Sequence, residues 1–257
     1  MSDAEVVDKF VEALADTRAP GLQVDRRPDH EKPGDIDAVA GTFAIEHTSI
    51  DTFSDQRTRN SYLERLLGDL EKTISTKQYM QVVFDYDAVD IGQDWPAIRA
   101  ALKNWLETVG QQLTARSTRV RPPGVPFDIQ VFTRPDWNRP LPARVWFGRF
   151  VPPNDKPISL RLKDLCDRKV AKLSKYKSAS MTTILLLEND DIASMNELIL
   201  QDAVLAAYPQ GRPAGVDEFW YVSTAGQPQF LFYDLTQTWE LPEDQRCPEP
   251  MWWPPQQ

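Results

Sequence analysis

In PGDIDAVAGTFAIEHTSIDTF, residues 33–53, two short apolar runs carry three acids, Asp35, Asp37 and Glu46, among Ile36, Val39, Phe43 and Ile45. If Gly41-Thr42 is a two-residue hairpin turn, glycine at its first central position suits type II′ and fixes the register. Asp37 then faces Glu46, Asp35 faces Thr48, and Ile36 faces His47. Directly opposed side chains share a sheet face, with Cβ atoms about 4.5–5.5 Å apart. Two opposed carboxylates repel, so one takes up a proton or a cation lies between them. A hard divalent ion, Mg²⁺ (or Mn²⁺), suits an all-oxygen site and commonly shares it with substrate phosphate. There it polarises a scissile phosphate and activates a water. A longer turn, or a register slipped by one, instead sends the acids to solvent at a sheet edge. His47 falls on the far face from Glu46, as a core or helix-contacting histidine.

The elements that must position these residues follow from periodicity. SDAEVVDKFVEALADT reads as a helix with a capping-box start from Ser2 to Glu5 and Val7, Phe10, Val11 and Leu14 on one face. LQVDRR is a short strand candidate, and DIDAVA and FAIEHT form the hairpin arms. SDQRTRNSYLERLLGDLEKTI is predicted as one long helix with Ser54 at its N-cap. YMQVVFDY follows as a buried strand, and WPAIRAALKNWLETVGQQL as a helix with Pro96 in its first turn. Residues 121–157 are rich in proline, which suits edge strands and loops around the runs FDIQVFT and ARVWFGRF. Beyond them come a basic helix, the strand MTTILLLE, the helix IASMNELILQDAVLAAY, and the strands EFWYVST and QFLFYDL. This alternation predicts an α/β fold, with sheet covered by helices.

Helix, strand, acid-bearing hairpin, helix and strand is the core order (α-β-β-β-α-β) of the PD-(D/E)xK nuclease superfamily, which residues 2 to 86 resemble. The literal dipeptide Pro28-Asp29 is also present. The resemblance implies a restriction-endonuclease-like core with a mixed central sheet flanked by helices. It implies division into a nuclease-like core (1–118), a continuous α/β extension (119–239) and a Pro/Trp-rich tail (240–257). Asp37, or else Asp29 or Asp35, matches the family's metal-binding aspartate, and Glu46 its second acid. Thr48 stands where the family has lysine. Members of the superfamily can relocate that lysine's role to the following helix, where Gln56 shares the inward face and Arg59 flanks it, so Gln56 or Arg59 is expected to assist at the phosphate. The resemblance implies a metal-dependent nuclease using Mg²⁺ or Mn²⁺ on DNA rather than RNA. The alternative is a catalytically inactive relative acting as an interaction module.

Composition limits these readings. The chain has 257 residues, 41% hydrophobic, with a net charge of −9, which excludes coating nucleic acid by bulk electrostatics. Phosphate contacts would need a local patch, and Arg161, Arg168, Lys172 and Lys175 supply a candidate on one side of the basic helix. Lys169 lies on that helix's inward face, where it either snorkels or approaches a phosphate; it is not among the expected site residues. Two cysteines form no metal-ligand spacing or disulfide framework, and the N-terminal residues lack a secretory pattern; a cytoplasmic protein is expected. The two histidines give little basis for a histidine-rich zinc site. No nucleophile elbow or phosphate-cradling glycine loop occurs. The tail is a candidate protein-binding segment or a strap on the body.

Overall fold

In a computed structural model that describes residues 2–133, 143–152, 155–191, 195–224, 230–242 and 250–253, the chain divides into two units. In chain order the elements are α1 (Asp3–Thr17), α2 (Pro28–Glu31), β1 (Ala38–Ala40), β2 (Phe43–Ser49), α3 (Gln56–Leu67), α4 (Leu70–Thr73), β3 (Met80–Phe84) and α5 (Trp95–Glu107). There follow β4 (Ser117–Val120), β5 (Ile129–Thr133), β6 (Val145–Arg149), α6 (Ile158–Leu173), β7 (Thr182–Asn189), α7 (Glu197–Ala207), β8 (Glu218–Ser223), β9 (Phe230–Asp234) and β10 (Pro250–Trp253). The first unit comprises residues 1–54 and 156–257, the second 55–155. The boundary therefore differs from the expected division at 118/119, and the physical reason is strand pairing. β2 pairs in parallel with β7, so the sheet begun by the hairpin is completed by strands from the C-terminal half, while 55–155 builds a sheet of its own.

The first unit is a mixed six-stranded sheet in the order β1-β2-β7-β8-β9-β10, with β2, β7 and β8 parallel and the other neighbours antiparallel. Helices cover both faces, as parallel strands require. Residue alternation along β2, β7 and β8 sorts the core into two layers. Ile45, Ile184, Leu186, Trp220 and Val222 pack with Val7, Phe10 and Leu14 of α1. Ala44, Leu185, Leu187, Phe219 and Tyr221 pack with Leu162, Cys166 and Leu173 of α6 and with Leu200 and Val204 of α7. Part of the tail is a strap: residues 250–253 pair with β9, whereas 243–249 and 254–257 lie outside the described residues, as do 134–142 and 153–154 of the proline-rich stretch.

The second unit is a four-stranded mixed sheet in the order β4-β5-β3-β6. Met80, Val82 and Phe84 of β3 pack with Leu66 and Leu70 and with Ile98, Leu102, Trp105 and Leu106 of α5. β6 lies at an edge as its flanking prolines suggest, but β5 is internal, because an unforeseen strand, β4, pairs outside it.

Three local expectations need correction. LQVDRR is not a strand; it makes one isolated bridge, Arg26 to Val39. Thus α-β-β-β-α-β is not the order of one contiguous core: α3 and β3, expected to complete it, belong to the second unit. The long helix is broken at Gly68, whose φ of 50° favours a residue lacking Cβ. Its N-cap is Asp55, at φ 57°, rather than Ser54. Ser2 caps α1, its Oγ accepting from the Glu5 amide, which is the Ser2 half of the expected capping box. No helix among the described residues is long and apolar enough to cross a membrane.

Candidate functional site

The hairpin has the register that a Gly41-Thr42 turn demands: Ala40 faces Phe43, Val39 faces Ala44 and Ala38 faces Ile45. Gly41 has φ 51° and Thr42 does not have positive φ, the pattern of a type II′ turn. Extending that register by one position puts Asp37 against Glu46. Asp37 Oδ2 accepts the amide N–H of His47 at 2.6 Å, which pins the carboxylate across the strand pair.

Glu46 is fully buried. Its Oε1 accepts from Lys169 Nζ at 2.5 Å and Lys172 Nζ at 2.8 Å. Both ammonium groups come from α6, where Leu162, Cys166, Lys169 and Leu173 repeat at helical spacing and lie along the side facing the sheet. Lys169 also donates to His47 O at 3.1 Å, and Lys172 to Asp35 O at 2.9 Å, so the lysines bind the ends of both hairpin arms. Burial pushes the Glu46 carboxyl above its ordinary range, and the nearby Asp37 charge adds to this; the two lysines only partly offset them. Glu46 Oε2 is buried with no hydrogen-bond partner. An orphaned carboxylate oxygen beside a second acid is an acceptor position fit for a hard cation.

Other expected residues are placed differently. Asp35 accepts from Tyr176 Oη and from the Ile36 amide, both at 2.9 Å. The Ile36 N–H, aided by Tyr176, holds its carboxyl below the ordinary value. Asp29 lies on α2, with a buried Oδ1 that makes no hydrogen bond. Thr48 is buried on β2. Gln56 and Arg59 begin α3, in the second unit, where Arg59 pairs with Asp90 at 3.2 Å and donates to Val89 O at 3.4 Å. The cations at Glu46 therefore come from α6, within the first unit.

The basic helix is not a uniform phosphate-tracking stripe. Arg161 donates to the carbonyls of Asp51 and Thr52 at 2.8 and 2.5 Å, tying down the chain that leaves β2. Lys172 turns inward to Glu46. Arg168 and Lys175 are exposed, with Lys175 beyond the end of α6.

The residue that reading by sequence passed over is Lys169. Its signal was present: a lysine occupies one turn of an otherwise apolar stripe, and Lys172 stands three positions on, on the same side. Missing was the knowledge that this stripe covers Glu46. Comparison of the chain with protein-family models, with curated proteins and with solved structures gives no match.

Proposed function

We propose that the protein is a metal-dependent nuclease that hydrolyses phosphodiester bonds in DNA, with its centre at Asp37, Glu46, Lys169 and Lys172. The observation that carries this reading is Glu46 itself: one oxygen held by two lysines, the other buried and unpartnered, with Asp37 alongside. The finer fold reading belongs here too. With 55–155 set aside, the first unit runs helix, hairpin, helix and parallel strand, which supports a restriction-endonuclease-like core interrupted by an insertion.

Asp37 and Glu46 would hold Mg²⁺ or Mn²⁺, which when bound supplies polarisation of the phosphoryl oxygen and a more acidic water. Lys169 and Lys172 would take over the role of the absent strand lysine: held beside Glu46, their ammonium groups would stabilise negative charge building on a transferring phosphoryl group, which Thr48 cannot do. Because both lysines now pair with Glu46, substrate phosphate has to draw at least one of them away. Exposed Arg168 and Lys175 extend the positive charge for backbone contact.

The test is cleavage of linear, circular and single-stranded DNA with Mg²⁺ or Mn²⁺, comparing wild type with Glu46→Gln, Asp37→Asn and Lys169→Met. Loss in all three variants supports the reading, and wild-type rates in Glu46→Gln and Asp37→Asn refute it. The second reading, a non-catalytic module, is favoured by the closed pairing of Glu46 with both lysines. It predicts no cleavage and no metal-dependent rise in Tm that Glu46→Gln removes.

A further inference from the structure

The opposite face of the same sheet holds a separate polar cluster. His47 follows Glu46 on β2 and so points to the α1 side. Its side chain is 1% exposed, and Nε2 lies 3.2 Å from Glu188 Oε2. Despite that separation Nε2 is buried without a hydrogen-bond partner. Asp3, in the first turn of α1, brings Oδ1 to 3.9 Å from the ring's Nδ1, and one ligand atom from each of the three residues falls within 4.8 Å of the others.

Glu188 is held for this arrangement. Ser49 Oγ donates to its Oε2 at 2.6 Å and Thr224 Oγ1 to its Oε1 at 3.0 Å. A buried imidazole nitrogen without a hydrogen-bond partner, 3.2 Å from a carboxylate oxygen, forms with it a pair of donor positions that a shared cation would fill. Ligand bonds of about 2.0–2.2 Å in tetrahedral or octahedral geometry put adjacent donor atoms about 2.8–3.6 Å apart, which includes the observed 3.2 Å.

We propose that Asp3, His47 and Glu188 form a second divalent-metal site, independent of Asp37 and Glu46, that takes a borderline ion such as Zn²⁺ or Co²⁺. One nitrogen and two carboxylates suit such an ion better than Mg²⁺, which prefers oxygen alone. Ser49 and Thr224 act as outer partners that orient Glu188. Asp3 is 78% exposed, so its carboxylate can turn toward the ring. The bound ion ties the start of α1 to the ends of β2 and β7, and its main effect is on the stability of the first unit.

The test uses the full chain, stripped of metal and titrated with Zn²⁺ or Co²⁺ alone, read by calorimetry, by Co²⁺ visible absorption and by Tm. Wild type is expected to bind one equivalent beyond any held at Asp37 and Glu46, to show a nitrogen-containing Co²⁺ spectrum and to rise in Tm. Glu188→Gln and Asp3→Asn are expected to bind about tenfold more weakly or worse, while Glu46→Gln, Asp37→Asn and His30→Gln bind as wild type. Asp3 is exposed, so Asp3→Asn keeps the fold even if Glu188→Gln does not. Absence of binding by wild type overturns the proposal, as does wild-type affinity in Asp3→Asn and Glu188→Gln, or loss of the site in Glu46→Gln. Because the readout is binding, a protein without nuclease activity can still pass, so the two proposals fail separately.

Discussion

Replacing both Lys169 and Lys172 by methionine should destabilise the protein far more than either change alone, and only while Glu46 is present. Glu46 is fully buried, whereas the lysine side chains are 22% and 23% exposed. The two partners are therefore unequal. A lysine that loses Glu46 turns its ammonium to water, but Glu46 that loses both lysines has nowhere to go. Removing one lysine leaves the other on the same oxygen, at a cost of about 1.5–3 kcal/mol for a hydrogen bond to a charged group. Removing both strands the carboxylate, at about 3–5 kcal/mol. In a Glu46→Gln background each lysine change should cost under about 1 kcal/mol, so the cycle should show coupling of about 2 kcal/mol. The pH dependence has a definite sign. The Glu46 carboxyl is already raised above its ordinary 4.5, and without the lysines it rises further. A raised carboxyl favours the protonated folded state, so the double variant should be nearest to wild type below about pH 4.5 and lose ground as pH rises, by at most about 1.4 kcal/mol per unit. Urea unfolding at pH 5, 7 and 8, with Glu46→Gln in parallel, measures each quantity. Lysine costs that are undiminished in the Glu46→Gln background and do not change with pH would refute the assignment of both lysines to Glu46.

Asp217 accepts from Lys177 at 2.5 Å and from the Thr183 amide and hydroxyl at 3.0 and 2.9 Å. Although burial pushes its carboxyl up, these partners hold it below its ordinary value; the stability it contributes is present above about pH 4 and lost as pH falls through the lowered value. Asp217→Asn should therefore flatten the acid limb of the stability profile measured by urea unfolding, and an unchanged limb would count against these contacts. Cys166 is fully buried, and burial raises its thiol to about 12, so it should resist iodoacetamide at pH 8 until the protein is unfolded, as peptide mass mapping would show. Gly68→Ala should lower stability by about 1 kcal/mol, since φ 50° strains an alanine and the new Cβ meets the Arg99 guanidinium at 2.6 Å. A Tm equal to wild type would mean that the break between α3 and α4 is not enforced by that glycine.

The hairpin was legible because everything that fixes it is local. A two-residue turn with glycine at its first position admits one register, and that register puts Asp37 and Glu46 together whatever the rest of the chain does. The amphipathic stripes of α1, α5 and α6 were legible for the same reason: each buried face is written within a dozen residues. The division into units was not, because periodicity says that a strand is buried and not which strand it pairs with. The run VVF in β3 and the run ILLL in β7 look alike as apolar segments. One forms the second unit's sheet and the other lies beside the hairpin.

The candidate site shows the same split between local and distant information. Its acids stand nine positions apart and are readable across one turn, but its cations come from a helix 123 and 126 positions beyond Glu46. Reading onward from Thr48, the nearest polar residues on or flanking an inward helix face are Gln56 and Arg59, so they are natural candidates for the lysine's role. The chain between β2 and β7 instead contains a whole second unit before it reaches α6, the helix that delivers Lys169 and Lys172 to the sheet. On the proposed reading, the charge absent at Thr48 arrives from another element. Thr48 lies two positions beyond Glu46 and so shares its face of β2. Putting lysine back by Thr48→Lys would crowd a third ammonium into a buried site already holding two, and like-charge repulsion with desolvation makes the substitution destabilising. Stability lost in Thr48→Lys and recovered in Thr48→Lys/Lys169→Met, measured by urea unfolding, is the expected result. If the second change brings no recovery, the strand and helix positions do not share one site.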